Sequence, residues 1–168
     1  NNTAAATESV SAYMCKLVSQ NLQDLSGDKR ISPGDKLTVV IEVSRSQDCS
    51  AMDGTLFGNK ELVSVDEEKG GVTRFLTLSQ ATLHLGDGRL QSRGMDSLSI
   101  PTEVLDKLQQ GGGQAIHTFE LKDLFKEDSS FAVQGFDGRF AGMVGTAKLL
   151  PGTPVEFQAE LAPLASTR

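Results

Sequence analysis

The strongest constraint on the fold of this chain is a series of strand-like segments separated by three Asp-Gly pairs. The pairs are Asp53-Gly54, Asp87-Gly88 and Asp137-Gly138. Glycine accepts a positive φ without steric cost, so an Asp-Gly pair between alternating apolar runs is a strong hairpin signal. The pattern predicts an antiparallel sheet built from successive hairpins.

The segments between these turns alternate apolar and polar residues. In LTVVIEVS, which starts at Leu37, every second residue is a large aliphatic, as in a strand with one buried face. Residues 10–25 combine helix-like and strand-like spacing, so their structure stays open at this stage. Further strands are predicted over residues 55–66, 72–85, 89–97, 115–125, 130–134, 142–150 and 154–161.

One short helix is predicted between these strands. Pro101 suits the first turn of a helix, Val104, Leu105 and Leu108 share one face, and Gly111 begins a run of three glycines. We therefore expect a helix over residues 101–110 that acts as a crossover or a lid.

The fold expected from this order is a single all-β domain over residues 1–168, with residues 1–9 as a flexible N-terminal segment. Our first choice is an antiparallel eight-stranded β-barrel of lipocalin-like shape with one short helix, because closure removes exposed strand edges. A β-sandwich is the competing architecture, since the spacing of strands in a sequence does not report closure.

Charge and motif content exclude several functional classes. The net charge of −6 disfavours nucleic acid, and no apolar run approaches the roughly 18 residues of a membrane span. His84, His117, Cys15 and Cys49 lack the spacing of a zinc site, so we expect no metal. The two cysteines are interpreted as buried apolar residues, not as nucleophiles.

The C-terminal part of the chain resembles a known family. In FDGRFAGMVGTAKLL, the residues Gly138, Phe140, Gly142 and Gly145 match the Gly-x-Gly-x-Phe-x-Gly-x-x-Gly segment that closes the barrel of allene oxide cyclases and, more distantly, of dirigent proteins. Residues 52–66 and 75–95 resemble two hairpin blocks of the same family, in the same order. We expect the last two of these glycines to permit a bend and a close strand approach.

The resemblance implies a small barrel whose lumen holds an apolar ligand. It further implies that, in the enzymatic branch, the barrel folds a reactive linear substrate for cyclisation without any cofactor. Such an enzyme needs few polar groups, because much of the rate comes from holding the substrate in a reactive conformation.

Candidate site residues follow from this expectation. Glu42 or Glu61, if buried among apolar groups, would have a raised pKa suited to general acid–base catalysis. Tyr13 could donate a hydrogen bond to a substrate carbonyl, and His84 lies at the predicted rim. For each of these four the alternative is an ordinary surface or structural residue, and which strand face lines the lumen is open. The candidate substrate-binding residues are Phe57, Phe75, Phe119 and Phe157.

The function favoured by this reading is a cofactor-independent cyclase or isomerase. Its substrate would be a hydrophobic linear biosynthetic intermediate of fatty-acid or polyketide type. One alternative is a non-catalytic, lipocalin-like carrier of a small apolar ligand, and another is a secreted interaction domain with a packed lumen. We expect a homo-oligomer, a dimer or trimer, without nucleic-acid partners. A cytoplasmic location is preferred over a secreted one.

Overall fold

The described residues form a closed, eight-stranded antiparallel barrel. A computed structural model describes residues 7–106 and 117–164. Within these ranges no helix is long and apolar enough to cross a bilayer. The strands are β1 (Glu8–Gln23), β2 (Lys36–Ser44), β3 (Gly54–Lys69), β4 (Val72–Leu85), β5 (Gly88–Pro101), β6 (Ser129–Gly138), β7 (Met143–Leu150) and β8 (Val155–Pro163).

The strands follow one another around the barrel in sequence order, and β8 pairs with β1 to close it. This arrangement confirms the predicted fold class. It also shows that the open segment 10–25 is a strand as far as Gln23. The alternation in β2 is also confirmed, because Leu37, Val39, Ile41 and Val43 are all buried in the core. Of the N-terminal segment predicted to be flexible, residues 1–6 lie outside the described residues, and Glu8 already belongs to β1.

The predicted helix over residues 101–110 is wrong where the structure describes it. Pro101 is the last residue of β5, and a single 3-10 turn follows at Thr102–Val104. The proline is tolerated at the end of a strand because its missing N–H removes little from the ladder. Residues 107–116, including Leu108 and the glycine run, lie outside the described residues.

The predicted strand over residues 115–125 is also wrong in its described part. Residues 121–124 form a short helix, α1 (Leu121–Leu124). The backbone N–H of Glu120 donates to the Asp123 carboxylate at 2.9 Å, which caps the first turn. Tertiary packing of this segment overrides the strand-like pattern of its apolar residues.

The glycines of the Asp-Gly pairs are required for different reasons. Gly138 has the positive φ, 61°, that an Asp-Gly turn uses. Gly54 is instead required by close approach, since a Cβ there would lie 2.1 Å from the His84 carbonyl oxygen. The expected close approach at Gly145 is confirmed, because its Cβ would lie 1.8 Å from the Glu160 carbonyl oxygen.

Two strands of the barrel extend beyond their neighbours, and a segment that is not a strand fills the gap between them. β1 pairs with β8 from Glu8 to Met14 and β5 pairs with β6 from Gly88 to Arg93, so both long strands run on past these neighbours. Residues 117–128, which we call the plug, lie between the two overhanging strands, and α1 packs against both. The Gln20 side chain holds the plug to β1 through two hydrogen bonds of 2.8 Å with the backbone of Phe119.

The cysteines differ from the expectation as well. Cys15 in β1 and Cys49 in the β2–β3 loop form a disulfide, with their Cα atoms 5.9 Å apart. The bond ties this loop to the barrel wall. Neither cysteine is therefore a buried apolar residue with a free thiol.

Candidate functional site

The interior of the barrel contains an ion pair. Lys60 on β3 and Asp96 on β5 both point inward, and the ammonium of Lys60 donates to Oδ2 of Asp96. Their side chains are only 7% and 8% exposed. A pair this deeply buried is costly to desolvate, so it is a poor device for stability alone and a good candidate for function.

Two hydroxyl groups on β4, the strand between them, hold Asp96 in place. Thr77 donates to Oδ1 of Asp96 at 2.6 Å, and Ser79 donates to the same oxygen. Ser79 also lies 3.4 Å from the ammonium nitrogen of Lys60. The carboxylate therefore has its two oxygens occupied by three donors, which fixes its orientation and stabilises its charge.

The ion pair borders a small internal cavity of about 40 Å³. Most of the remaining wall is apolar, and its side chains are those of Met14, Val39, Leu56, Phe131, Leu149 and Phe157. The ammonium of Lys60 lies 5.3 Å from the ring centre of Phe125, which reaches in from the plug. A single cation thus faces a largely apolar space.

Burial lowers the pKa of the Lys60 ammonium, and the neighbouring Asp96 carboxylate partly opposes this effect. Lysine presents three N–H donors and no acceptor. The arrangement can therefore give a charge-assisted hydrogen bond to an oxygen atom that enters the cavity, in surroundings where such a bond is stronger than in water.

A second space lies directly outside this cavity. It is a cleft of about 330 Å³ between β4, β5 and the plug, and Asp96 and Phe125 line both spaces. The far end of the plug is tied down where Glu127 accepts a hydrogen bond from Arg74 on β4 at 2.6 Å. The ring of Phe125 thus borders both the cavity and the cleft.

The four predicted catalytic residues lie on the outer face of the barrel. Glu42 and Glu61 lie on the polar, outward-facing side of their strands, and Glu61 is exposed. Tyr13 is opposite Glu156 on β8, and its pKa is raised by desolvation and then by that carboxylate. The His84 ring stacks edge-on against Phe57 at 5.2 Å. None of these side chains borders the cavity, so their catalytic role stays a prediction that the geometry disfavours.

The predicted substrate-binding phenylalanines divide in the same way. Phe157 lines the cavity. Phe75 and Phe119 are buried in the core at the plugged end, and Phe57 is 46% exposed on the outside. Of this set the structure brings only Phe157 to the ion pair.

Neither Lys60 nor Asp96 was among the predicted site residues, whose carboxylates, Glu42 and Glu61, lie in the opposite phase of their strands. The sequence phase of Lys60 and Asp96 was informative, however. Lys60 has the same parity as the buried Leu56 and Leu62, and Asp96 has the parity of Leu98 and Ile100. A charge in the buried phase of a strand, one on each of two strands, is the signal that could have identified the site.

One acidic group has the spacing of a metal site but serves the backbone. Carboxylate oxygens of Asp24, Asp28 and Asp35, all in the β1–β2 loop, come within 4.8 Å of one another. Asp24 accepts the N–H of Lys29 at 2.7 Å, and Asp35 accepts that of Ser32 at 2.9 Å. The carboxylates are therefore explained by the backbone N–H groups that they accept, which stabilise a tight loop.

Comparisons with known proteins find solved structures that share this fold. No protein-family model matches the chain, and no curated protein matches its sequence. The structure is similar to that of the Diels-Alderase AbmU from Streptomyces koyangensis, with a TM-score of 0.55 and 12% identity over 98% of this chain and 72% of that one.

Two further solved structures are similar. One is a nonspecific heme-binding cyclase that catalyses (4 + 2) cycloaddition during neoabyssomicin biosynthesis, with a TM-score of 0.54, 14% identity and coverage of 95% of this chain and 65% of that one. The other is AbnU, an exo-specific intermolecular Diels-Alderase, with a TM-score of 0.53, 16% identity and coverage of 93% and 98%. At these identities the similarity establishes the barrel fold.

Proposed function

We propose that this protein is a cyclase that folds a hydrophobic linear substrate inside its barrel and promotes a cycloaddition. The observation that carries the proposal is the buried Lys60–Asp96 pair beside an apolar cavity. The fold shared with Diels-Alderases supports it. The substrate class agrees with the polyketide-type intermediate expected from the sequence, and the allene oxide cyclase resemblance points to the same kind of reaction.

The proposed chemistry needs little from the protein beyond shape and one donor. The apolar wall would hold a diene and an alkene of one substrate in contact, which removes most of the entropy cost of the reaction. Lys60 would donate a hydrogen bond to a carbonyl conjugated with the alkene, drawing electron density away from it. Asp96 would keep the ammonium charged and oriented.

The reaction is balanced without any partner. Two carbon–carbon σ bonds form from the π electrons of the diene and the alkene, and one new double bond remains. No atom leaves and nothing is oxidised or reduced. We therefore propose an isomerisation that is independent of cofactors.

Substrate entry requires movement of Phe125. The cavity of about 40 Å³ holds a few water molecules and not a linear substrate. Rotation of Phe125 away from Lys60 would join it to the cleft of about 330 Å³. The joined space reaches the lower end of the roughly 300–1,000 Å³ typical of ligand sites.

The test is the cyclisation of a linear trienone, in which a terminal diene is tethered to an enone. We expect the wild-type protein to accelerate product formation over the uncatalysed rate. The double variant Lys60→Met/Asp96→Leu should lose on the order of 100-fold of this acceleration, as when one oxyanion donor is removed. Glu68→Gln, which changes an exposed residue of β3, is the matched control. An unaccelerated reaction with wild-type protein would contradict the proposal.

The sequence-based catalytic assignment is tested in the same assay. If the interior site is correct, single substitutions of the outer-face candidates leave the rate unchanged, and a loss at any of them would restore that assignment. The variants are Glu42→Gln, Glu61→Gln, Tyr13→Phe and His84→Gln.

The second candidate function is a carrier of an apolar ligand. It is favoured by the apolar side chains that form most of the cavity wall. A carrier would return the trienone unchanged after binding it, whereas a cyclase releases the ring product. Mass-resolved chromatography of the extracted ligand therefore separates the two.

The disulfide bears on the compartment. Disulfides persist in oxidising environments and are rare in the reducing cytosol. We propose on this ground that the protein works in an oxidising compartment, contrary to the cytoplasmic expectation. Alkylation of the protein from its own host, with and without reductant, tests this: a free Cys15 or Cys49 thiol before reduction would contradict it.

A further inference from the structure

We infer that the head group bound at Lys60 is an uncharged conjugated carbonyl, such as an ester, a ketone or an amide, and not a free carboxylic acid. This inference rests on the proposed function and narrows its substrate class, since the sequence left both fatty-acid and polyketide-type substrates open. It follows from the balance of charge inside the barrel.

The charges of the described cavity wall cancel. Lys60 and Asp96 are its charged residues, and they are paired with each other. Asp96 is further satisfied by the hydroxyl groups of Thr77 and Ser79. The interior therefore has no net charge with which to attract a charged ligand, and both oxygens of its carboxylate already accept hydrogen bonds.

What the interior does offer is a donor. Among the described residues, the hydrogen-bond acceptors of the Lys60 ammonium are Asp96 and, at the long distance of 3.4 Å, Ser79. The ammonium has three N–H groups, and Phe125 covers it with a ring that accepts no conventional hydrogen bond. A ligand that takes the place of the Phe125 ring would meet an N–H donor, and a carbonyl oxygen is the acceptor that fits.

A free acid does not fit the same place. Its carboxylate would bring a second negative charge next to Asp96 in an apolar cavity that cannot hydrate it. It would have to displace Asp96 from Lys60 or be buried beside a like charge, and both are unfavourable. A neutral carbonyl avoids both penalties because it accepts a hydrogen bond without adding charge.

The experiment compares two ligands that differ only in this charge. They are the methyl ester and the free acid of one conjugated decadienoyl chain, and each is titrated against Nile red bound to the intact protein at about pH 8. We expect the ester to bind on the order of 100-fold more tightly, because like charges repel strongly in a desolvated site. In Asp96→Asn the cation is unbalanced, so the preference should fall sharply or reverse, while Glu68→Gln keeps it.

A second measurement needs no variant of the interior. As the pH falls from about 8 to about 5, a growing share of the decadienoic acid becomes neutral. Its affinity for the wild-type protein, divided by the ester affinity at the same pH, should rise in step. A ratio that does not change with pH would overturn the inference.

The remaining outcomes separate this inference from the proposed function. If the acid binds more tightly than the ester to the wild-type protein, the inference is wrong while the interior site stands. If neither ligand displaces the dye or binds by native mass spectrometry, the interior site and the proposed function fall together.

Discussion

Removing one partner of the buried ion pair should cost much more stability than removing both. In Lys60→Met the Asp96 carboxylate keeps its bonds from Thr77 and Ser79 but loses its counter-charge while only 8% exposed. Breaking a buried pair in this way costs about 3–5 kcal/mol of unfolding free energy. Asp96→Leu leaves the buried Lys60 ammonium without its counter-charge and should lower the unfolding free energy by a similar amount.

The double variant Lys60→Met/Asp96→Leu should recover most of this loss. Exchanging a buried ion pair for apolar side chains is often neutral or stabilising by about 1–4 kcal/mol. Against this stands the loss of the hydroxyl bonds of Thr77 and Ser79, at about 1 kcal/mol each. The two contributions nearly cancel, so the double variant should lie within about 2 kcal/mol of the wild type.

Urea unfolding followed by far-ultraviolet circular dichroism measures these free energies, since the chain has no Trp. A coupling between the two substitutions of several kcal/mol is the expected result. Single variants that lose less than about 1 kcal/mol would show that the pair is not desolvated. A double variant as unstable as the sum of the singles would show that Lys60 and Asp96 are not coupled as a buried ion pair, which would contradict the account.

Three further changes have defined outcomes. Replacing Cys15 and Cys49 by Ala opens a link between residues 34 positions apart, which should lower the unfolding free energy by about 4 kcal/mol; unchanged urea midpoints would contradict this. Gly145→Ala places a Cβ against the Glu160 carbonyl and should cost more than about 2 kcal/mol, as thermal unfolding would reveal. Burial lowers the folded-state pKa of Lys60. As the pH rises, the native state therefore loses this proton at a lower pH than the unfolded state does. The unfolding free energy should therefore rise as the pH rises through that pKa towards about 10.4; Lys60→Met should lack this rise.

The positions of most strands were predictable because they depend on local signals. Alternation with period two, as in β2, reports which residues share a face without any knowledge of the partner strand. Turn glycines mark where strands end. The strand Val72–Leu85 was predicted with the bounds that the structure shows.

Other features depend on contacts between distant parts of the chain. The plug follows the apolar pattern of a strand, yet it lies in a gap created by the unequal lengths of β1, β5 and their neighbours. The disulfide joins residues that a single sequence does not pair. The sequence also could not show that Glu42 points outward, because the closure of the barrel determines which face of each strand is inside.

The ion pair could be predicted from the sequence only in part. The inward phase of Lys60 can be counted from Leu56 and Leu62 in the sequence. That Asp96 meets it across β4 requires the register of three strands, in which Lys60 is opposite Ser79 and Thr77 is opposite Asp96. Sequence phase can therefore nominate such residues, and only the sheet can pair them.

The most direct test of the central claim is a crystal structure of the protein with the methyl ester of decadienoic acid bound. The account predicts that the diene lies in the barrel interior, that the Phe125 ring has moved away from Lys60, and that the ester carbonyl oxygen is about 3 Å from the ammonium nitrogen of Lys60. An ester bound on the outer face, or one in the lumen with its carbonyl directed away from Lys60, would contradict it.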